Sequence, residues 1–296
     1  MCKTLAYVIL LSFFLQACAE SGNKIWCSNR YLYDLPKQPP LDGKHQEFSQ
    51  KGYIYALASA LSLQNATKDQ EHHFHKPERL RLFERSPGTF GFDAMAFDLM
   101  SSKAGDEPEE IVVAFTGSND WRDWVFTNLL FFQAQYDQAR AFIQKVSALR
   151  PGKKLVATGY SLGGGLAIHV AKRPETTHLV SEAWAFNPSP KTWAPGGPSK
   201  RIWVGSARGE ILSSLRSGWF NFIPGINSIG AFENQVAEDW YFINTSSMYG
   251  HFRWVMTRNM LHGADYTFAP KNEPPMTEPL EILKRSQHPS FAACSM

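Results

Sequence analysis

Hydrophobic positions recur at helical spacing near the start of the chain and at strand spacing soon after it. Residues 53–63 repeat apolar side chains three and four positions apart, which predicts a helix with one apolar stripe. Residues 80–84 and 90–97 flank a Ser-Pro-Gly turn and predict an antiparallel hairpin. The unbroken apolar run at residues 111–115 predicts a strand that is buried on both faces.

Beyond residue 130 the pattern changes to helices that alternate with short apolar strands. Such alternation is what parallel β-α-β crossovers require. It predicts an α/β fold with a mostly parallel central sheet, an antiparallel N-terminal hairpin and helices on both faces. The predicted helices are 136–149, 163–171 and 252–261, and the predicted strands are 155–158, 182–186 and 201–204.

The two ends of the chain differ in composition from the predicted α/β region between them. Residues 1–18 carry Lys3 followed by an apolar run too short to span a bilayer comfortably, which is the pattern of an export signal. Residues 19–50 include a polar, proline-bearing stretch and predict an extended arm, whereas 269–296 are proline-rich and predict a surface tail. A single α/β domain is therefore expected over 51–268.

The signal ends in Leu-Gln-Ala-Cys, which resembles a bacterial lipobox. Cys18 would then become the lipid-anchored first residue of a cell-envelope lipoprotein held at a membrane surface. Plain secretion after Ala19 is the alternative, with Cys18 only a small residue near the cleavage site. If Cys18 is lipidated, Cys27 and Cys294 remain as a pair that could form a disulfide in an oxidising compartment.

Composition narrows the classes of function. The chain has 296 residues, of which 44% are hydrophobic and 19% charged, and its formal net charge of +3 is spread without a basic block. A nucleic-acid partner is therefore not expected. The histidines of His72-His73-Phe74-His75 lie in a charged stretch without matched Cys or carboxylate ligands, so no metal site and no cofactor is expected.

The strongest chemical signal is Gly-Tyr-Ser-Leu-Gly at residues 159–163. It lies directly between a predicted strand and a predicted helix, which is the setting of a nucleophile elbow with Ser161 at its tip. The glycines would allow the sharp turn, because side chains at positions 159 and 163 would collide with the neighbouring strand and helix. A glycine-rich turn without catalytic duty is the alternative.

A second motif lies some forty residues earlier. Residues 113–118 read Val-Ala-Phe-Thr-Gly-Ser, and together with the elbow they resemble the class 3 lipase family of α/β-hydrolases. The resemblance implies an oxyanion hole formed by Ser118 and the backbone N–H of Leu162. The chain departs from the family at Thr116, where arginine is usual.

The resemblance also implies an acid and a histidine base that follow the serine in the chain. Glu210 is the first carboxylate after the last predicted strand and matches the family's acid in placement, with Asp239 and Glu238 as further candidates. His251 stands at a loop-to-helix position like that of the family's base, and His262 is the alternative. A third histidine, His169, lies on the helix behind the elbow, and a structural role is expected for it.

Aromatic residues make up 14% of the chain, and several fall between the expected acid and base. Trp219, Phe220 and Phe222 belong to an apolar loop that either forms a lid or lipid-facing rim or packs into the core. Residues 125–132 are expected to form the opposite wall of an acyl pocket, and Tyr160 is expected to contact the substrate.

The function expected from these features is hydrolysis of fatty-acyl esters through a Ser-His-acid triad and an acyl-enzyme. Triacylglycerol and phospholipid both remain open as substrates, with a lean towards phospholipid if the chain is held at a membrane. Acyl transfer to an alcohol and non-catalytic lipid binding are the alternatives. The oligomeric state is left open.

Overall fold

The computed structural model describes residues 43–64, 73–86, 92–101, 107–116, 133–216, 221–227, 229–240, 250–268 and 277–286. In chain order its elements are helix α1 (Gly43–Gln64), strands β1 (Leu80–Arg85), β2 (Ala94–Met100) and β3 (Pro108–Phe115), helix α2 (Ala134–Leu149), strand β4 (Lys154–Tyr160), helix α3 (Leu162–Lys172), strands β5 (Glu182–Phe186), β6 (Ile202–Ala207) and β7 (Val236–Trp240), and helices α4 (Arg253–Phe268) and α5 (Glu278–Arg285).

These strands form one seven-stranded sheet in the order β1 to β7. Strands β1, β2 and β3 are antiparallel neighbours, and every pairing from β3 to β7 is parallel. The predicted α/β architecture, with its antiparallel start and mostly parallel sheet, is confirmed. The parallel arrangement brings the carboxyl ends of β4, β5 and β6 to the same edge, where Tyr160 pairs with Phe186 and Phe186 with Gly205.

Side chains alternate across the sheet into two cores. On β3, Val112 packs into the core that includes α1 and α4, whereas Ile111 and Val113 pack into the core that includes α2 and α3. Helices thus cover both faces, as the sequence predicted. Burial of these faces stabilises the sheet by roughly 25 cal/mol for each Å² of apolar surface removed from water.

Helix α1 is more deeply buried than one apolar stripe would require. All of residues 52–63 are buried, because the helix is in contact with the sheet and with α4. Gly52 permits the close approach to the sheet, since a Cβ at this position would lie 2.4 Å from the Trp184 ring. Within the described residues, no helix combines the length and the hydropathy needed to cross a bilayer.

Three elements differ from the sequence expectation. Helix α1 begins at Gly43, inside the segment predicted to be an extended arm. Strand β7 was not predicted, because Glu238 and Asp239 interrupt its apolar pattern. Helix α5 lies in the segment predicted to be a proline-rich tail, where Thr277 caps it and its Leu280, Ile282 and Leu283 are buried.

His169 lies on α3 where that helix packs against α2. Arg140 donates a hydrogen bond to its Nε2 at 2.7 Å, and its Nδ1 donates to the Thr192 carbonyl at 2.8 Å. Burial lowers the pKa of His169 to about 4, although its bond to the Thr192 carbonyl opposes the shift. A neutral, fully bonded imidazole fits the structural role expected for this residue.

The free energy of unfolding should therefore fall as the pH is lowered from 6.5 to about 4. In this window the unfolded chain binds a proton at His169 and the folded chain does not, which costs up to about 3 kcal/mol of stability. Urea unfolding at pH 7 and pH 4.5 measures the loss. A His169→Asn variant should lose about 2 kcal/mol less than the wild type between the two pH values, and equal losses would contradict this account.

Candidate active site

Ser161 forms the turn between β4 and α3. Its backbone angles, φ 56° and ψ −118°, lie in a region that residues with side chains rarely adopt. The surrounding backbone holds it there: its N–H donates to the Phe186 carbonyl at 2.9 Å, and its carbonyl accepts from the N–H of Ser189 at 2.9 Å and of Gly165 at 3.2 Å. The strained elbow that the sequence predicted is therefore present.

Glycines give this turn the space it needs. A Cβ on Gly159 would lie 2.1 Å from the carbonyl carbon and oxygen of Gly163, a distance that no side chain can occupy. On α3, a Cβ at Gly164 would lie 3.0 Å from Pro188, and one at Gly165 would lie 2.9 Å from the Lys191 carbonyl. Glycine at these positions lets α3 lie against the strand before it and against the segment that follows β5.

A histidine and a glutamate complete a hydrogen-bonded chain with the serine. His251 Nε2 lies 3.1 Å from Ser161 Oγ, and His251 Nδ1 lies 2.6 Å from Glu210 Oε2. The histidine side chain is 14% exposed and the glutamate side chain is fully buried. With Nδ1 donating to the carboxylate, Nε2 is free to accept the proton of the serine hydroxyl.

The surroundings of Glu210 favour its ionised form. Burial by itself would raise the pKa of this carboxyl, but His251, the nearby Arg216 guanidinium and the Leu212 N–H together hold the pKa below its usual value. The Leu212 N–H donates to Oε2 at 3.0 Å. Glu210 can therefore orient the imidazole while it carries the negative charge that would stabilise an imidazolium.

The structure places the candidates that the sequence left open at different positions. It brings His251 to Ser161, whereas His262 lies buried within α4. Glu238 contacts Arg216, with Oε1 3.0 Å from Nε, and the side chain of Asp239 lies outside the described parts of the structure. Glu210 is the carboxylate that contacts the His251 ring.

Tyr160 has a different position from the one expected. It is 5% exposed, with its ring centroid 5.4 Å from that of His251, and its hydroxyl accepts a hydrogen bond from Asn187 Nδ2 at 2.8 Å. Burial raises its pKa well above the usual value, so the phenol stays protonated. Tyr160 supports the imidazole from the core side.

Sequence reasoning missed Asn187, which joins the three loops at this edge of the sheet. Its Nδ2 donates to the Gly250 carbonyl at 3.0 Å, next to His251, and its Oδ1 accepts from the Ala207 N–H at 2.8 Å. The residue is fully buried with a positive φ of 42°, which asparagine tolerates better than most residues. An Asn-Pro pair directly after a buried strand was the signal that could have identified it.

Parts of the predicted site fall outside the described residues. These are Ser118, Trp219, Phe220 and the expected pocket wall at residues 125–132. Leu162 is the first residue of α3, so its N–H has no acceptor within the helix and lies beside the nucleophile. Phe222 is described, and it is 79% exposed.

The chain is similar in sequence to phospholipases. Residues 51–188 match a phospholipase-like family model described as a Tle-like phospholipase domain. Over 79 residues the chain is 43% identical to an extracellular phospholipase A1 of Serratia liquefaciens. That match covers 25% of this chain and 24% of the relative, so it spans about a quarter of each protein.

Solved lipase structures are also similar to the chain. The Rhizomucor miehei lipase in its propeptide complex has a TM-score of 0.40 and 15% identity, with 77% of this chain and 83% of that chain covered. A triacylglycerol lipase from Penicillium expansum has a TM-score of 0.39 and 18% identity, with 62% and 76% covered. The fold assignment itself rests on the strand order and the elbow described above.

The resemblance to class 3 lipases noted in the sequence is confirmed. The mostly parallel sheet and the strand-turn-helix elbow are those of an α/β-hydrolase fold, and the match over residues 51–188, a little under half of the chain, is to a phospholipase-like family model.

Proposed function

We propose that this protein is a serine esterase that hydrolyses a fatty-acyl ester of phospholipids. The observation that carries the proposal is the hydrogen-bonded chain from Ser161 through His251 to Glu210, with distances of 3.1 and 2.6 Å. Nucleophile, base and orienting acid stand in contact, which is the arrangement needed for covalent ester hydrolysis.

In this mechanism Ser161 Oγ attacks the ester carbonyl while His251 Nε2 takes the hydroxyl proton. The tetrahedral intermediate collapses when His251 returns that proton to the leaving alcohol, which leaves an acyl-serine. Water then attacks the acyl group, His251 accepts a proton from the water, and collapse returns it to Ser161 as the fatty acid departs. Glu210 stays ionised throughout and stabilises the imidazolium that forms in each half-reaction.

The negative charge that develops on the carbonyl oxygen needs hydrogen-bond donors. The Leu162 N–H is proposed as one donor, because it lies next to the nucleophile at the positive end of α3. Ser118 is proposed as the second donor, on the resemblance of its motif to that of class 3 lipases. Loss of one such donor typically costs about 3 kcal/mol of transition-state stabilisation.

Two comparisons support a phospholipid substrate. The family model over residues 51–188 is described as a phospholipase domain, and the Serratia relative is named a phospholipase A1. The proposed reaction is therefore release of one fatty acid from a glycerophospholipid, with the lysophospholipid as leaving group. Trp219, Phe220 and Phe222 are proposed as contacts to the lipid.

Export fits such a substrate. The relative is named as extracellular, and the first residues of this chain have the pattern of an export signal. We further propose that Cys18 carries a lipid anchor, on the resemblance of residues 15–18 to a lipobox. An anchored enzyme would meet phospholipids in the membrane that holds it.

The triad predicts how single substitutions change turnover of a soluble short-chain ester. Ser161→Ala and His251→Ala should each lower kcat by about 10⁴-fold or more, and Glu210→Gln by about 10³- to 10⁴-fold, because the imidazole loses its orientation and its counter-charge. Steady-state kinetics on folded, purified variants measures these losses.

His262→Ala is the control for the histidine assignment. This variant should keep most of the turnover, because His251, rather than His262, contacts the serine. Turnover that survives in His251→Ala but disappears in His262→Ala would exchange the two roles, and turnover that survives in Ser161→Ala would remove the proposed nucleophile.

The backbone around Phe222 presents this side chain to solvent. The Gly225 carbonyl accepts from the N–H groups of Thr192 and Trp193, at 2.9 and 3.1 Å, and Ile226 is buried. The loop is thus anchored behind Phe222, which remains 79% exposed. An exposed aromatic side chain on an anchored loop is suited to insertion into a lipid surface.

Phe222→Ser should reduce hydrolysis of phosphatidylcholine vesicles about tenfold, because part of the transfer free energy of the ring is lost. Hydrolysis of a soluble ester should stay within about twofold, since a short-chain ester does not require insertion of the exposed Phe222 ring into a lipid surface. Leu149→Ser is the matched control, because Leu149 is also exposed, at 44%, but lies at the end of α2. Equal losses on both substrates would contradict an interfacial role.

A further inference from the structure

Arg216 is a buried arginine whose guanidinium is fixed by three segments of the chain. Its side chain is 5% exposed, and NH1 lies 2.6 Å from Glu210 Oε1. NH1 donates its hydrogen bond to the Pro188 carbonyl at 3.0 Å, and Nε donates to Glu238 Oε1 at 3.0 Å. Glu210 follows β6, Pro188 follows β5 and Glu238 belongs to β7. The guanidinium therefore connects three segments of the chain beside the proposed site.

The two oxygens of Glu210 have different surroundings. Oε2 accepts hydrogen bonds from the His251 ring and from the Leu212 N–H. Among the described residues no hydrogen bond is directed at Oε1, and its close neighbour is the positive charge of Arg216. Because a buried carboxylate oxygen is costly without compensation, the guanidinium charge favours the ionised form of the whole group.

We propose that Arg216 is a positioning residue for the proposed reaction: it fixes the carboxylate of Glu210 and keeps it ionised, so that Oε2 stays directed at His251. The inference rests on the proposed hydrolase function and deepens it. In this proposal Arg216 acts on the reaction indirectly, through the carboxylate of Glu210.

Glu238 gives this arrangement its charge balance. Without it, the positive charge of Arg216 would oppose the imidazolium that forms on His251 during each proton transfer. Glu238 contacts the guanidinium at Nε, whereas Glu210 lies at NH1, and the Glu238 side chain is 44% exposed, so it offsets part of that charge. When His251 is protonated, the row of His251, Glu210, Arg216 and Glu238 carries alternating positive and negative charges.

Other groups near Glu210 do not replace this effect. His251 is the base itself, and its charge changes during turnover. The Tyr160 phenol is electrostatically coupled to Glu210, Arg216 and Arg253, and its raised pKa keeps it neutral. Among the described residues, the fixed positive charge in direct contact with the Glu210 carboxylate is that of Arg216.

The test is the pH dependence of kcat in Arg216→Gln, measured with a soluble short-chain ester on the full chain. At pH 7 we expect kcat to fall at least about tenfold with KM within about twofold, because Glu210 becomes harder to ionise. The acid limb of the pH profile should move to higher pH by about one unit or more, and activity should recover in part at alkaline pH.

Arg216→Lys keeps the positive charge but replaces a planar fork by a point charge. We expect its acid limb to stay at the wild-type pH while kcat falls about three- to tenfold, because orientation is lost and charge is kept. If Arg216→Gln does not fold, the Arg216→Lys variant tests the positioning role in its place. A wild-type kcat in Arg216→Lys would then overturn the proposal.

Arg173→Gln is the matched control, because Arg173 forms an exposed ion pair with Glu175 away from the triad. It should leave kcat and the pH profile unchanged. A folded Arg216→Gln with the wild-type acid limb and kcat would overturn the positioning role. Wild-type protein without Ser161-dependent turnover in the same assay would instead overturn the proposed function, so the two failures are distinguishable.

Discussion

The geometry of the site depends on the backbone of Ser161, held in a rarely populated conformation at the end of a buried strand. That conformation directs the side chain away from β4 and begins α3 in a single residue. Hydrogen bonds from the neighbouring strand end and from the following segments hold it. The turn also requires that Gly159 has no side chain, because the Gly163 carbonyl occupies that space. The strain is local, and burial of the surrounding sheet and helices supports it.

The parallel sheet brings together residues that are far apart along the chain. Glu210 follows β6 and His251 precedes α4, yet His251 contacts the Ser161 hydroxyl and Glu210 contacts His251, because the parallel strands β4, β5 and β6 end at one edge. Burial of the acid makes its negative charge expensive, and this cost is offset by His251, by the Leu212 N–H and by the Arg216 guanidinium. The proposed catalytic chain is thus part of a larger row of alternating charges that ends at Glu238, near solvent.

The sequence predicted the features that depend on local spacing. The strand, the strained turn and the helix around Ser161 follow from short-range periodicity and from glycine placement. Glu210 and His251 were chosen as candidates from chain order and from the resemblance to class 3 lipases. Features set by distant contacts were missed. Charged residues interrupt the apolar pattern of strand β7. Residues 52–63 of helix α1 are all buried because α4 covers the helix beside the sheet, and Tyr160 faces the core, where Asn187 donates to its hydroxyl. The contact between Arg216 and Glu210 exists only after the loop between them has folded back.

The most direct test of the central claim is covalent labelling with a fluorophosphonate probe, followed by peptide mapping. A serine hydroxyl reacts with this probe only when a base in contact withdraws its proton and donors stabilise the resulting charge. The structure predicts a single labelled peptide that carries the modification on Ser161, with labelling slowed by about 10³-fold or more in His251→Ala. Modification at another serine, or an equal labelling rate in the histidine variant, would contradict the account.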